Sequence, residues 1–363
     1  MPRATNSARM RKKNEKMILS LIARAPLSRA DIAKETGLTK AAVTIIADEL
    51  LRRGVIAEEK SEGGAVGRTP LMLRLVPDSV YFIGVNVRRV GITVGVCNIV
   101  GEVIGEVELP IMSPDEAFSK IADAIGELIQ ASKIPRERIY KAAIATPGPV
   151  DSVSGRILNP PNFEAWHGVE AAKRLGEALG CGAILGNVSS AAASAELYFG
   201  SARFSKDFLA LIVDEGIGSG IVTHGRLFGG SCELGHVSIS HNGKECECGN
   251  CGCLEKYASI PNVLCGTPYS DWRSCIESGD SEVILREADY LSCAIVTASN
   301  MFDLDTAILC GEISFCPDKF IPILASKTIS KMIKKKDFTV TSGSVASQSL
   351  TAAALAVYDF FVA

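Results

Sequence analysis

Apolar residues recur at helical spacing three times within the first 75 positions, and then the period changes. Met17, Ile18, Leu21 and Ile22 form one stripe between about Asn14 and Arg24, and Pro26 ends that segment. Ser28 opens a second helix running to Thr36. Asp31, three residues on, completes a capping-box pattern with Asp in the Glu position, and Gly37 closes the helix. After Leu38, Thr39 caps a third helix, Lys40 to Arg53, with Val43, Ile46 and Leu50 facing inward. Beyond Gly54 the chain reads strand, glycine-rich turn (Gly63 to Gly67, then Arg68-Thr-Pro70) and strand, the last with alternating Leu71, Leu73 and Leu75. Two helices joined by so tight a glycine turn predict a helix-turn-helix, and the hairpin behind them predicts a wing.

From Val80 onward the pattern is β-rich, in runs joined by glycines: Val80 to Val87, then Gly91 to Val103. Helical stretches follow near 114–132 and 168–180, and strands fit Ala142–Ala145, Phe208–Asp214, Gly220–Thr223 and Ala307–Leu309. Strands alternating with helices predict an α/β body, long enough for two lobes with a cleft between them. The expected domains are 1–75 and 76–363.

Charge sharpens this division. Residues 1–75 hold 15 Lys+Arg and 8 Asp+Glu, a balance of +7, while residues 76–363 hold 23 and 33, a balance of −10. A basic front on an acidic body suits a polyanion at the front, with a merely solvated basic face or a protein contact as the alternatives. On the DNA reading, Thr39, Lys40, Ala41 and Thr44 at the start of the third helix face the major groove. Ser28 at the second helix joins them, and Arg68 of the wing reaches a phosphate or the minor groove. A late basic run, Lys327, Lys331 and Lys334–Lys336, reads as a solvated helix face rather than a second DNA contact. No stretch approaches the about 20 continuous apolar residues of a membrane span. The basic N-terminus has no apolar segment behind it, so it does not read as a secretion signal; a cytoplasmic location with reduced cysteines is expected.

The densest chemistry lies between Glu233 and Glu255: Glu233-Leu-Gly-His236, then Cys246-Glu-Cys248-Gly-Asn-Cys251-Gly-Cys253-Leu-Glu255. Four cysteines and one histidine fall at zinc spacing, one ligand more than a closed tetrahedral site needs, and Gly249 and Gly252 let the loop wrap an ion. Free buried thiols are the alternative. The other eight of the 12 cysteines stand in mostly apolar surroundings and read as core thiols.

The chain resembles the ROK family of repressors and sugar kinases over nearly its whole length. The resemblance rests on the winged helix ending in Gly67-Arg-Thr-Pro70, on Thr146-Pro-Gly-Pro-Val-Asp151, on Gly216-Ile-Gly-Ser-Gly220, and on Gly229-Gly230 leading into Glu233-Leu-Gly-His236 and the cysteine element. It implies a two-lobed actin-like (ribonuclease H-like) sugar-kinase fold behind the winged helix. It further implies a structural Zn²⁺ on His236, Cys246, Cys248 and Cys253, with Cys251 outside the ligand set. The family's sugar pocket maps onto Asn187, Glu233, His236 and Glu255, with Asn162 near the mouth.

Two departures stand out. The family's catalytic aspartate, directly after Asn187, is Val188, which can take no proton. The first phosphate loop, Asp-x-Gly-Gly-Thr in the family, is Asn86-Val-Arg-Arg-Val90, and the adenosine-side glycine pair is Gly311-Glu312. The Gly216–Gly220 segment is expected to persist as a turn. No kinase activity is expected. The chain reads as a DNA-binding regulator, a repressor of carbohydrate genes acting as a homodimer on two-fold operator DNA, with a sugar effector in the cleft. The rival reading is a regulator whose sugar site is vestigial.

Overall fold

The computed structural model describes residues 7–60, 71–229, 232–333 and 337–362. At the front, α1 (Ser7–Arg24), β1 (Leu27–Ser28), α2 (Arg29–Thr36) and α3 (Lys40–Arg52) precede β2 (Ile56–Lys60) and β3 (Leu71–Leu75), an antiparallel sheet ordered β1-β3-β2. Local chemistry sets the boundaries. The Ser28 hydroxyl accepts from the Asp31 N–H and the Asp31 carboxylate accepts in return from the Ser28 N–H, so the capping box is closed. Gly37 ends α2 at φ 69°, in the left-handed region that favours glycine, and Thr39 caps α3 by accepting from the Ala42 N–H. The tip of the wing, with Gly67, Arg68, Thr69 and Pro70, lies outside the described residues.

Helix α1 starts at Ser7, a full two turns before the expected Asn14. Arg11 pairs with Glu49, and Arg53 with Glu15 at 2.6 Å, so ion pairs to α3 and its C-cap carry the basic end where no apolar stripe does. Leu19 is buried beside Ile18 and Ile22 because α1 has two apolar neighbours, the head's own core and the body.

The body repeats one topology twice. The meander β4 (Tyr81–Arg88), β5 (Gly91–Asn98) and β6 (Val103–Leu109) is followed by α4 (Pro114–Ala131) and β7 (Ile139–Thr146). The hairpin β8 (Val150–Asp151) and β9 (Arg156–Ile157), α5 (Ala171–Leu179) and β10 (Ala183–Asn187) complete the first lobe. Its sheet runs β10-β7-β4-β5-β6, with β10, β7 and β4 parallel. Helix α6 (Val188–Phe199) leads to β11 (Phe208–Val213), β12 (Ile217–Thr223) and β13 (Arg226–Leu227). An insertion carries α7 (Glu255–Ala258), α8 (Ile260–Val263) and α9 (Trp272–Ser278). Then come α10 (Ser281–Phe302), β14 (Thr306–Cys310), α11 (Pro317–Lys331), β15 (Thr339–Ser342) and α12 (Gln348–Phe361). The second sheet runs β13-β12-β11-β14-β15. In both, the fourth and fifth strands lie on one side of the first, and the second and third on the other.

Helices α6 and α12 sit between the two sheets, and glycines let them approach. A Cβ on Gly84 or Gly95 would overlap Ser349 of α12; one on Gly218 or Gly220 would overlap Ser189 of α6. The segment expected to persist as a turn, 216–220, is therefore mostly the start of strand β12, and two of its glycines are there for helix packing. One apolar cluster (Phe82, Ala143, Leu197, Tyr198, Phe208, Ala353, Val357, Phe361) fills the space between the sheets and continues through Ile18, Leu19 and Ile22 into the head. Among the described residues no helix is long and apolar enough to cross a membrane.

Candidate effector cleft, metal cluster and nucleic-acid interface

The loop after β13 returns against the start of β12. Ser219 of β12 holds it: its hydroxyl donates to the Cys232 carbonyl at 2.8 Å and accepts from the Leu234 N–H at 3.3 Å. That fixes the single 3-10 turn carrying both Glu233 and His236, whose N–H donates to the Glu233 carbonyl at 3.0 Å. Ser219 is a positioning residue that sequence reasoning missed. A serine between two strand glycines is the signal that could have found it.

His236 Nδ1 lies 3.7 Å from Cys246 Sγ, Cys248 Sγ lies 3.6 Å from Cys253 Sγ, and the four ligand atoms are all within 4.8 Å of one another. Ligands at Zn–S and Zn–N bond lengths in a tetrahedron are about 3.3–3.8 Å apart, so this donor set fits a four-coordinate cation. Gly249 (φ 88°) and Gly252 (φ 72°) both lie in the left-handed region, and a Cβ on Gly252 would overlap the Ser240 carbonyl. Cys251 is exposed and outside the cluster; its carbonyl accepts from Ser238 at 2.6 Å. Burial pushes the Cys246 and Cys253 thiols up, while the Asn250 backbone N–H pulls Cys248 down. A cation entering would displace thiol protons. All cysteines described are unpaired, but Cys265 and Cys293 are exposed, not the core thiols their apolar neighbours suggested.

Two of the expected pocket residues meet over one glycine, and a third lies against another. Asn187 ends β10 and caps α6, its Oδ1 accepting from the Ser190 N–H at 2.8 Å, which leaves the amide nitrogen as a donor. A Cβ built on Gly148 would sit 3.8 Å from that nitrogen and 3.9 Å from Glu233 Oε1, so a lobe-one amide and a lobe-two carboxylate meet over Gly148. Glu255 is pinned from the other side: its Oε2 accepts from the Ile217 N–H at 2.7 Å and lies against Gly216. Asn262 donates to the Glu255 carbonyl at 2.9 Å. Asn162 is on an exposed loop (φ 56°), with no side-chain hydrogen bond to the described residues. That loop is held by Arg89, whose Nε and Nη2 donate to the Pro161 carbonyl at 3.1 and 2.8 Å.

On the head, Thr39, Lys40 and Ala41 are exposed and Thr44 is half-buried. The Ser28 hydroxyl is shared with Asp31, donating to its Oδ2 at 2.6 Å. Arg29 bridges Asp48 of α3 (2.8 Å) and Glu58 of β2 (2.9 Å), locking the third helix to the wing's base. Lys327 and Lys331 of α11 pair with Asp289 at 2.9 and 3.3 Å, and Lys334–Lys336 lie outside the described residues.

Residues 82–357 match the ROK family. The chain belongs to the ROK family. Residues 12–65 of this ROK protein match the MarR family, a helix-turn-helix match over the head. The DNA-binding transcriptional dual regulator NagC of Escherichia coli K12 is 28% identical over 337 residues, covering 85% of this chain and 82% of NagC. The crystal structure of a ROK family transcriptional regulator, described as a homologue of the E. coli MLC protein, superposes with a TM-score of 0.78 at 25% identity, covering 97% of this chain and 98% of that one. A ROK hexokinase from Thermus thermophilus superposes with a TM-score of 0.67 at 25% identity, covering 77% of this chain and all of that one. The chain is thus a DNA-binding transcriptional regulator of the ROK family, built on a fold that sugar kinases share.

The positions where this ROK protein departs from a kinase carry contacts of its own. Val188 is half-buried and packs on the apolar cluster between the sheets. Asn86 is 2% exposed and donates to Gln348 Oε1 at 2.8 Å. Glu106 accepts from the Ser347 and Ser349 hydroxyls and the Ser349 N–H; burial alone would raise its pKa, but these bonds and nearby Arg88 hold it below the usual value. At the adenosine side, Asp214 accepts from the Glu312 N–H, and its pKa is raised by burial and then by the Glu312 charge. Asn86, where the resemblance places the start of a kinase's first phosphate loop, is here tied to the N-terminus of α12.

Proposed function

We propose that this regulator represses carbohydrate genes and senses a sugar or sugar derivative in the cleft between its lobes, without phosphorylating it. The meeting of Asn187 from one lobe and Glu233 from the other over Gly148 carries the reading. An amide donor and a carboxylate acceptor suit neighbouring sugar hydroxyls, and only a closed cleft would use both fully. Asn187, Glu233, His236 and Glu255 bind the sugar, with Asn162 closing the mouth. Zinc on His236, Cys246, Cys248 and Cys253 is structural: four protein ligands leave no open position, and the ion holds the turn that presents Glu233. His236 would coordinate through Nδ1 and keep its other ring nitrogen for the ligand.

The DNA set is Ser28, Thr39, Lys40, Ala41, Thr44 and Arg68, with Ser28 acting through its backbone or by shaping the turn. Residues 1–75 form the DNA-binding domain and 76–363 the effector and dimerisation domain, in a homodimer on a two-fold operator. The junction at Val76–Val80, with Pro77, links them, and α1 supplies a second link. Lys16 Nζ donates to the Asp359 carbonyl of α12 at 2.8 Å, and Asp359 also holds Tyr140 and Lys141. Arg203, just before β11, donates to the Ala23 carbonyl at 2.8 Å. With the middle of α1 anchored through α12 and its C-terminal end anchored beside β11, closing the cleft would tilt the head.

A thermal-shift screen of the zinc-replete full chain against sugars, amino sugars and sugar phosphates tests the reading. A hit lost in Glu233→Gln supports it. No hit, with zinc confirmed, favours the rival reading of a vestigial site, for which Val188 in the apolar cluster is the supporting observation.

A further inference from the structure

Ile45 is the most exposed large apolar side chain among the described residues of the head. Ile45 lies in α3, one turn beyond Ala41 and directly after Thr44, and it is 59% exposed. Residues 41, 44, 45 and 48 share one helix face. On that face Ala41 is small and Asp48 has its charge met by Arg29 at 2.8 Å. What remains is an apolar ridge of Ala41, the Thr44 methyl and Ile45. A β-branched residue lowers helix propensity, and without packing nothing returns that cost. The face belongs to the second helix of a helix-turn-helix, which enters the major groove. There a thymine presents the only apolar group of any base pair, its C5-methyl.

We infer that Ile45 is a specificity-determining residue that reads the methyl group of a thymine in each operator half-site. Ala41 keeps the helix low enough in the groove for the contact, and Thr39 and Lys40 hold the helix N-terminus at the backbone. The contact is indifferent to the hydrogen-bonding edge of the base and sensitive to one methyl group.

The test starts from operator sites selected by the full-length protein from random duplex DNA. Each thymine is then replaced singly by deoxyuridine, which removes only the methyl. Burying one methyl amounts to about 0.8 kcal/mol, so one position per half-site should bind about threefold to fourfold more weakly as deoxyuridine. Ile45→Ala places a better helix former at an exposed position and should fold. In that variant the same replacement should have no effect, while the salt dependence of binding, set by phosphate contacts, stays as in the wild type. The inference is overturned if no thymine methyl matters, or if its loss costs Ile45→Ala as much as wild type. It is equally overturned if Ile45→Ala dissociates the oligomer with methyl sensitivity intact, which would make Ile45 a protein contact.

Discussion

Gly220→Ala separates two explanations of the glycines in β12. If they survive from a nucleotide loop, the substitution should act on nucleotide binding and barely on stability. If they serve helix packing, the reverse holds. A Cβ at 220 would lie 2.5 Å from the Ser189 carbonyl oxygen and 2.7 Å from Ala193 Cβ, both on α6. Ordinary contact is about 3.5–4.0 Å, and one of the obstacles is backbone, so α6 must back away from the sheet. Moving it disturbs Ala191, Leu197 and Tyr198, all in the cluster between the lobes. Overpacking of this kind costs about 1–3 kcal/mol. Gly126→Ala is the internal control: Gly126 sits inside α4 with nothing within 4 Å of a built Cβ, so it should gain about 0.5–1 kcal/mol. Urea unfolding followed by circular dichroism reads both, with ATP titrated calorimetrically in parallel. Wild-type stability in Gly220→Ala together with altered ATP affinity would refute the packing argument.

Three further outcomes follow from other sites. Metal analysis of the purified chain should find one zinc, retained in Cys251→Ser and lost in Cys253→Ser with a lower melting temperature; loss in both would redraw the ligand set. Glu287 of α10 is fully buried with neither carboxylate oxygen hydrogen-bonded to the described residues, and burial raises its pKa well above the usual value, against a smaller opposing pull from Arg286. A raised folded-state pKa gives stability present below the unfolded value and lost as pH rises from there towards the folded value, by up to about 1.4 kcal/mol per pH unit. Glu287→Gln should therefore gain on wild type progressively as pH rises from about 5 in urea midpoints, and a pH-independent difference would contradict this. Val188→Asp should raise the melting-temperature shift given by any sugar that binds wild type, since it returns an acceptor beside Asn187, yet yield no sugar phosphate with ATP, because Asn86–Val90 still lacks a phosphate cradle. Measurable turnover would show that the carboxylate alone was missing.

The head was legible because its signals are local. Ser28 with Asp31, Gly37 and Thr39 each act within four residues, and all three sit where periodicity and capping chemistry put them. The metal cluster was legible for the same reason, since three of its four ligands lie within eight residues, although only the resemblance set Cys251 aside. What the sequence hid is long-range. Gly84 and Gly95 exist for Ser349, more than 250 positions away, and no window of residues shows that. The early start of α1 depends on Glu49 and Arg53, and the Ser219 clasp on a loop that returns after β13. Ile45 was visible as an apolar residue on the exposed face of α3 and went unread because the groove-facing set was drawn from the start of the helix and stopped at Thr44.

The two lobes use one device in mirrored places, and this bears on how a kinase fold becomes a switch. Each inner helix meets the opposing sheet through a serine over paired glycines: Ser349 over Gly84 and Gly95, Ser189 over Gly218 and Gly220. At Gly84 and Gly220 helix backbone lies against the glycine itself, so no side chain fits between helix and sheet. Asn86 and Glu106 fasten the start of α12, and the end of α12 carries Asp359, which holds α1 through Lys16. The helix fastened there thus finishes at the head. A ligand drawing Asn187 and Glu233 together acts on α6, whose far end leads through Arg203 to the Ala23 carbonyl of α1. Both inner helices therefore end on α1, and a change in their crossing angle has no shorter mechanical outlet than the tilt of that helix.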